Sequence, residues 1–107
     1  MRDENVAIHQ YVSFSLGDEL FAVEVVRARE ILSLVPVTKV PQTPDFMLGV
    51  INLRGQVVPV VDMRLKLGLP AGEQTRDSCI IVVDVRVGGE TLTIGAQADA
   101  VREVLEL

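Results

Sequence analysis

The chain is poor in the residue types that most catalytic and metal chemistry requires. Its 107 residues include one cysteine, one histidine and no tryptophan, with aromatics at only 4%. The lone Cys79 excludes an internal disulfide and opens the apolar run 79–83, where it reads as a small buried hydrophobe. The lone His9 lies in a polar leader and offers no base to a nucleophile. One His and one Cys fall short of a transition-metal ligand set, and Asp3-Glu4 and Asp18-Glu19 read as turn polarity. Neither GxGxxG nor GxxxxGK occurs, and no helical pattern follows Gly88-Gly89, so a phosphate cradle is not expected. The expectation is therefore a non-enzyme with no catalytic residue, no metal and no cofactor.

Positive charge is also scarce. Ten Lys and Arg face fifteen Asp and Glu, for a net charge of −5, and no two basic residues are adjacent. Nucleic-acid binding needs a concentrated basic patch and is excluded on that ground. No apolar run approaches the roughly 20 residues of a membrane span. Residues 1–10 lack the apolar core of a secretory signal. A cytoplasmic location without membrane insertion is expected.

What is abundant is aliphatic material. Hydrophobic residues make up 49% of the chain and the mean hydropathy is +0.36, so one domain can build its core from Val, Leu and Ile. Residues 46–65 stand out. Two runs of branched apolar residues, 48–53 and 57–61, flank Arg54-Gly55-Gln56. Runs this short and β-branched read as strands buried on both faces, folded into a hairpin with Gly55 supplying a positive φ. Asn52 and Arg54, the strongly polar residues of this oily stretch, must be hydrogen-bonded or emerge at the surface. Pro59 cannot donate to a ladder and marks an edge, a bulge or a barrel corner.

Around this hairpin the chain reads as short strands. Residues 1–9 are a leader; 11–16 and 20–26 form a hairpin around Gly17-Asp18-Glu19. Residues 27–32 fit a helical turn or a bent strand equally. The segment 35–41, with prolines at both ends, suits an extended edge, and Asp62–Leu67 suits a helical turn closed by Gly68. Residues 80–87 and 91–95 pair across Gly88-Gly89, while 96–100 is small and polar and 101–107 could be strand or helix. Short strands about ten residues apart predict an all-β barrel or sandwich. The apolar pattern runs to Leu107, which predicts a sheet edge left unpaired there and further strands missing from the chain.

The stretch Phe46-Met-Leu-Gly-Val-Ile-Asn-Leu-Arg-Gly-Gln-Val-Val-Pro-Val-Val-Asp-Met-Arg closely resembles the signature of the CheW family of bacterial chemotaxis coupling proteins. Leu16-Gly-Asp-Glu-Leu-Phe-Ala-Val-Glu-Val, Glu30-Ile and the 37–44 segment agree in order. The segment Gly95-Ala-Gln-Ala-Asp99 is less hydrophobic than its family counterpart. The resemblance spans about residues 10–107 and carries the signature hairpin residues Gly49, Asn52, Leu53, Arg54, Gly55 and Pro59. It implies a single CheW-like domain of two small SH3-like β-barrels packed together, the second incomplete.

It further implies an adaptor coupling transmembrane chemoreceptors to the regulatory domain of the histidine kinase CheA, at receptor arrays on the inner face of the membrane. The receptor's helical hairpin tip would lie in an apolar groove between the barrels, for which Val12, Val25, Ala28, Ile31 and Val101 are the matching positions. Glu30 and Arg54 match a charged pair beside that groove; each apolar residue could equally be core, and the pair could simply pin the hairpin. The alternative is the CheW-like regulatory domain of a larger chemotaxis protein, a kinase or a CheW–receiver fusion. A homo-oligomer joined through the C-terminal edge is a further expectation, as strand exchange. A nucleotide-binding reading lacks any motif.

Overall fold

The computed structural model describes residues 10–70 and 72–106; the expected leader at 1–9, with His9, lies outside them. The architecture is all-β, as the sequence implies. In chain order the elements are β1 (Gln10–Leu16), β2 (Glu19–Glu24), a 3-10 turn (Val25–Arg27), β3 (Ala28–Ser33), β4 (Met47–Leu53) and β5 (Gln56–Asp62). The one-turn helix α1 (Met63–Lys66) follows, then β6 (Cys79–Val87), β7 (Glu90–Ala98) and β8 (Ala100–Glu106). They build a three-stranded sheet, β2-β1-β8, and a five-stranded sheet, β3-β6-β7-β5-β4. The two sheets pack on each other through a shared apolar cluster.

The five-stranded sheet curls back on itself. Its edge strands are β3 and β4, yet the chain leaving β3 returns to β4 at Thr38, which exchanges two backbone hydrogen bonds with Val50 at 2.9 and 2.8 Å. That exchange explains the proline in β5. Val50 turns both its N–H and its C=O to Thr38, so its pairing with Pro59 carries no hydrogen bond and asks for no donor. On the other side of β5, the parallel ladder with β7 begins one residue later, at Val60 and Gly95. Pro59 thus sits at a barrel corner.

Burial corrects one expectation. The apolar runs of β4 and β5 are covered on one face only: Ile51, Val58 and Val60 are buried, whereas Val57 is 64% exposed. The strand covered on both faces is β6. Its odd residues Cys79, Ile81 and Val83 join Phe14, Leu16 and Ala98 in a cluster between the sheets. Its even residues Ile80 and Val82 join Ile51, Val58 and Val60 inside the curled sheet. A strand shared by two cores must be apolar at every position, whereas a wall strand needs only alternation. Each such Val or Ile contributes about 1.5–3 kcal/mol on burial.

Three segments left open by periodicity resolve as strands. Residues 27–32 become the end of the 3-10 turn and most of β3; residues 96–100 split between β7 and β8 with a bend at Asp99; residues 101–106 extend β8. The bend is held from the side, because the Asp99 N–H donates to the Ser15 carbonyl at 3.0 Å. Helix α1 forms where a helical turn was expected, capped by the Asp62 carboxylate on the Leu65 N–H at 3.3 Å. Above it, Lys66 Nζ stands 4.3 Å from the Phe46 ring centroid, close enough for a cation–π contact.

Candidate functional site

The hairpin turn between β4 and β5 is built by two residues with positive φ, Arg54 at 52° and Gly55 at 82°. This is the pattern of the two-residue turns that match strand twist. The Gly55 contribution is legible in the sequence; the strained conformation of Arg54 is not. Asn52 holds the turn, its Oδ1 accepting from the Gly55 N–H at 2.9 Å. Leu53 is half-buried against the Ile51–Val58 core. The oily hairpin therefore places its two polar residues at an exposed tip, with each side chain engaged.

From that tip Arg54 reaches across to β3, where Nη1 donates to Glu30 Oε1 at 2.6 Å. The two side chains are 72% and 25% exposed. The hydrogen bond from Arg54 holds the Glu30 carboxyl below its ordinary range, with the nearby positive charge of Arg29 adding to it. The expected pair thus exists, lying at the surface rather than inside. In water an ion pair is weak as a fold determinant, so this one is free to serve as a surface feature.

The five expected groove residues divide. Ile31 and Val101 line one groove of about 400 Å³ between the sheets, formed by Ile31-Leu32-Ser33 of β3, residues 76–79 and Ala100-Val101-Arg102 of β8. Ile31 is 47% exposed, as a docking residue would be. Ala28 instead packs against the inter-sheet core, and Val101 contributes there as well. Val12 is buried at 6% exposure. Val25 lies half-buried in the 3-10 turn. The bulge between Ala28 and Glu30 separates Ala28 from the groove-lining part of its own strand.

The walls were missed by sequence reasoning. Arg76 and Arg102 line the groove, together with Ser33, Asp77 and Ser78. Arg102 stands between Val101 and Glu103 in β8, a setting in which no alternation singles it out. Cys79, also in the lining, is buried, and burial pushes its thiol above the ordinary range. This fits the inert role expected of it.

A second polar centre was also missed. Arg64 on α1 donates through Nε and Nη2 to both oxygens of Asp99, at 2.9 and 2.5 Å. Asp99 Oδ2 also accepts from the Gly17 N–H at 2.6 Å, and Arg64 Nη1 donates to the Pro70 carbonyl at 3.1 Å. One guanidinium thereby ties together α1, the β1–β2 turn, the β7–β8 bend and the loop after α1. The Arg64 hydrogen bond keeps the Asp99 carboxyl below its usual range, and the Gly17 N–H lowers it further. A bidentate arrangement like this fixes orientation as well as charge.

A second cavity, about 330 Å³, opens between the sheets on the β2 side, walled by Phe14, Phe21, Val23, Met63, Val83 and Ile94 among others. Among the described residues no group of three or more His, Cys, Asp or Glu could hold a metal ion. No described helix is long and apolar enough to cross a membrane.

Residues 10–107 match the family model of the CheW-like domain. A chemotaxis protein CheW of Rhizobium meliloti is 40% identical over 96 residues, which are 90% of this chain and 59% of that protein. A probable chemotaxis protein CheW of Rhizobium etli is 38% identical over 101 residues, 94% of this chain and 63% of the other. In Helicobacter pylori a chemotaxis protein CheW shares 40% identity over 82 residues, 77% of this chain and 50% of its own length. The crystal structure of the scaffolding protein TtCheW from Thermoanaerobacter tengcongensis superposes with a TM-score of 0.83 at 36% identity, covering 92% of this chain and 65% of that one. The chain thus spans between half and two thirds of the length of these relatives.

Proposed function

The chain belongs to the family of CheW-like domains, and on that premise we propose that it is a chemotaxis signalling adaptor that works by contact and catalyses nothing. Its two partners are the helical hairpin tip of a chemoreceptor and the CheW-like regulatory domain of the histidine kinase CheA, met in the cytoplasm at receptor arrays. The observation that carries this reading is the groove between the two sheets, with Ile31 exposed in its lining and Val101 beside it. A preformed concave surface on a β scaffold receives an amphipathic helix with little ordering cost. Contacts that are modest singly become firm in an array through multivalency.

The experiment is titration of the purified chain with a soluble receptor signalling fragment, for the wild type and for Ile31→Arg. Ile31 is the suitable position because its exposure spares the core, whereas arginine at Ala28 would enter the inter-sheet cluster. The reading expects at least a tenfold loss of receptor affinity with an unchanged circular dichroism spectrum. Equal binding by the folded variant overturns the groove assignment.

Self-association is a second reading, favoured by β8. This strand pairs with β1 on one side and with no strand on the other among the described residues, and its Val104 is 59% exposed. Open edges of this kind template further pairing. Sedimentation should show a concentration-dependent dimer that Val104→Lys abolishes; a monomer at all concentrations removes the reading.

A further inference from the structure

Resting on the groove reading above, we propose that the helix received there carries acidic residues beside its apolar stripe, and that Arg76 and Arg102 select it by charge. The groove is not the plain apolar slot that its candidate residues suggested. Ile31 and Val101 supply its hydrophobic contact, but Arg76 enters from the loop before β6 and Arg102 from β8. Both arginines are exposed. Neither forms an ion pair among the described residues, although the chain engages Arg27, Arg29, Arg54 and Arg64 with carboxylates.

Two unpaired guanidinium groups at one groove are notable in a protein of net charge −5. Asp77 is the one carboxylate in the lining. It leaves the groove with two cations against one anion. Ser33 and Ser78 complete a polar wall, with the Ser78 hydroxyl occupied as acceptor for the Thr75 N–H at 2.9 Å. A groove lined by both apolar residues and guanidinium groups fits a helix whose stripe is flanked by Glu or Asp, because arginine forms directed bonds to carboxylates. A neutral flank would leave those charges without a partner, and a basic flank would be repelled.

The test uses three synthetic helical hairpins with the same Val/Ile stripe, differing only in four flanking residues, which are Glu, Gln or Lys. Each is titrated into the 107-residue protein by calorimetry at about 50 and 300 mM salt, where screening of exposed charges differs strongly. The Glu probe should bind at least tenfold tighter than the Gln probe at low salt, with the gap narrowing at high salt and the Lys probe weakest. The double variant Arg76→Glu/Arg102→Glu, whose positions are exposed, should reverse that order while keeping the wild-type circular dichroism spectrum.

Equal affinity of the three probes, lost on Ile31→Arg, would overturn the charge selection and leave the groove reading in place. Binding of any probe that Ile31→Arg does not weaken would overturn the groove reading, and with it the selection. Failure of all three probes to bind overturns both.

Discussion

Gly49 and Thr38 meet where the five-stranded sheet closes: a Cβ on Gly49 would stand 2.1 Å from the Thr38 carbonyl oxygen, and the glycine has φ of 147°. No side chain fits there, and the obstacle is backbone that cannot swing aside. Gly49→Ala should therefore force Thr38 away from Val50 and destabilise the fold by at least about 2 kcal/mol. Urea unfolding of the purified variant measures it, and a midpoint within error of the wild type refutes this account of the closure.

The Glu30–Arg54 pair should behave differently. Because Arg54 is 72% exposed, Arg54→Ala is expected to leave the melting temperature nearly unchanged, as for other surface ion pairs. Kinase or receptor binding is expected to weaken. Thermal melts beside a binding titration separate the two effects. A variant that unfolds while cold would show that the pair pins the hairpin instead.

Asp99 predicts the acid response. Its folded carboxyl titrates below the ordinary range because Arg64 hydrogen-bonds to it, so the unfolded chain takes up the proton more readily. The stability it confers is fully present above the unfolded value of about 4 and is lost as pH falls through the lower folded value. Asp99→Asn should cost about 1–2 kcal/mol at neutral pH. The gap between wild type and variant should then close as the pH falls below about 4 in urea melts. Parallel curves across that window would exclude the linkage.

Ser13 plugs an irregularity. Opposite it, β8 carries one residue too many between Val101 and Val104, and the Ser13 hydroxyl donates to the Glu103 carbonyl at 3.0 Å while accepting from the Glu103 N–H at 3.1 Å. Ser13 is only 3% exposed, so Ser13→Ala strips two backbone groups of their partner. A loss of about 1–3 kcal/mol is expected, with faster amide hydrogen exchange at Glu103. Unchanged exchange there would mean that water replaces the hydroxyl.

The groove candidates rest on the family resemblance, because an apolar residue is visible in one dimension whereas its burial is not. The resemblance puts Ile31 and Val101 on equal terms with Val12, Val25 and Ala28. Only the placement of β3 beside β8 brought the first two to one opening. Arg76 and Arg102 are 26 positions apart, and no local signal joins a loop residue to a strand residue across that distance. Arg64 and Asp99 escaped for the same reason, since a bidentate pair has no periodicity.

The sequence by itself determined the three hairpins β1–β2, β4–β5 and β6–β7, with Gly55 and Gly88-Gly89 at two of their turns, the helical turn at Asp62–Leu67 and the family. These are local matters of backbone preference, side-chain alternation and motif. Tertiary structure alone decided which apolar run would be covered twice. β6 lies between two cores and β4–β5 form a wall of one, although all three strands are rich in β-branched residues. Coverage depends on what packs against each face, and that is settled by the curl of the sheet rather than by the strand's own composition.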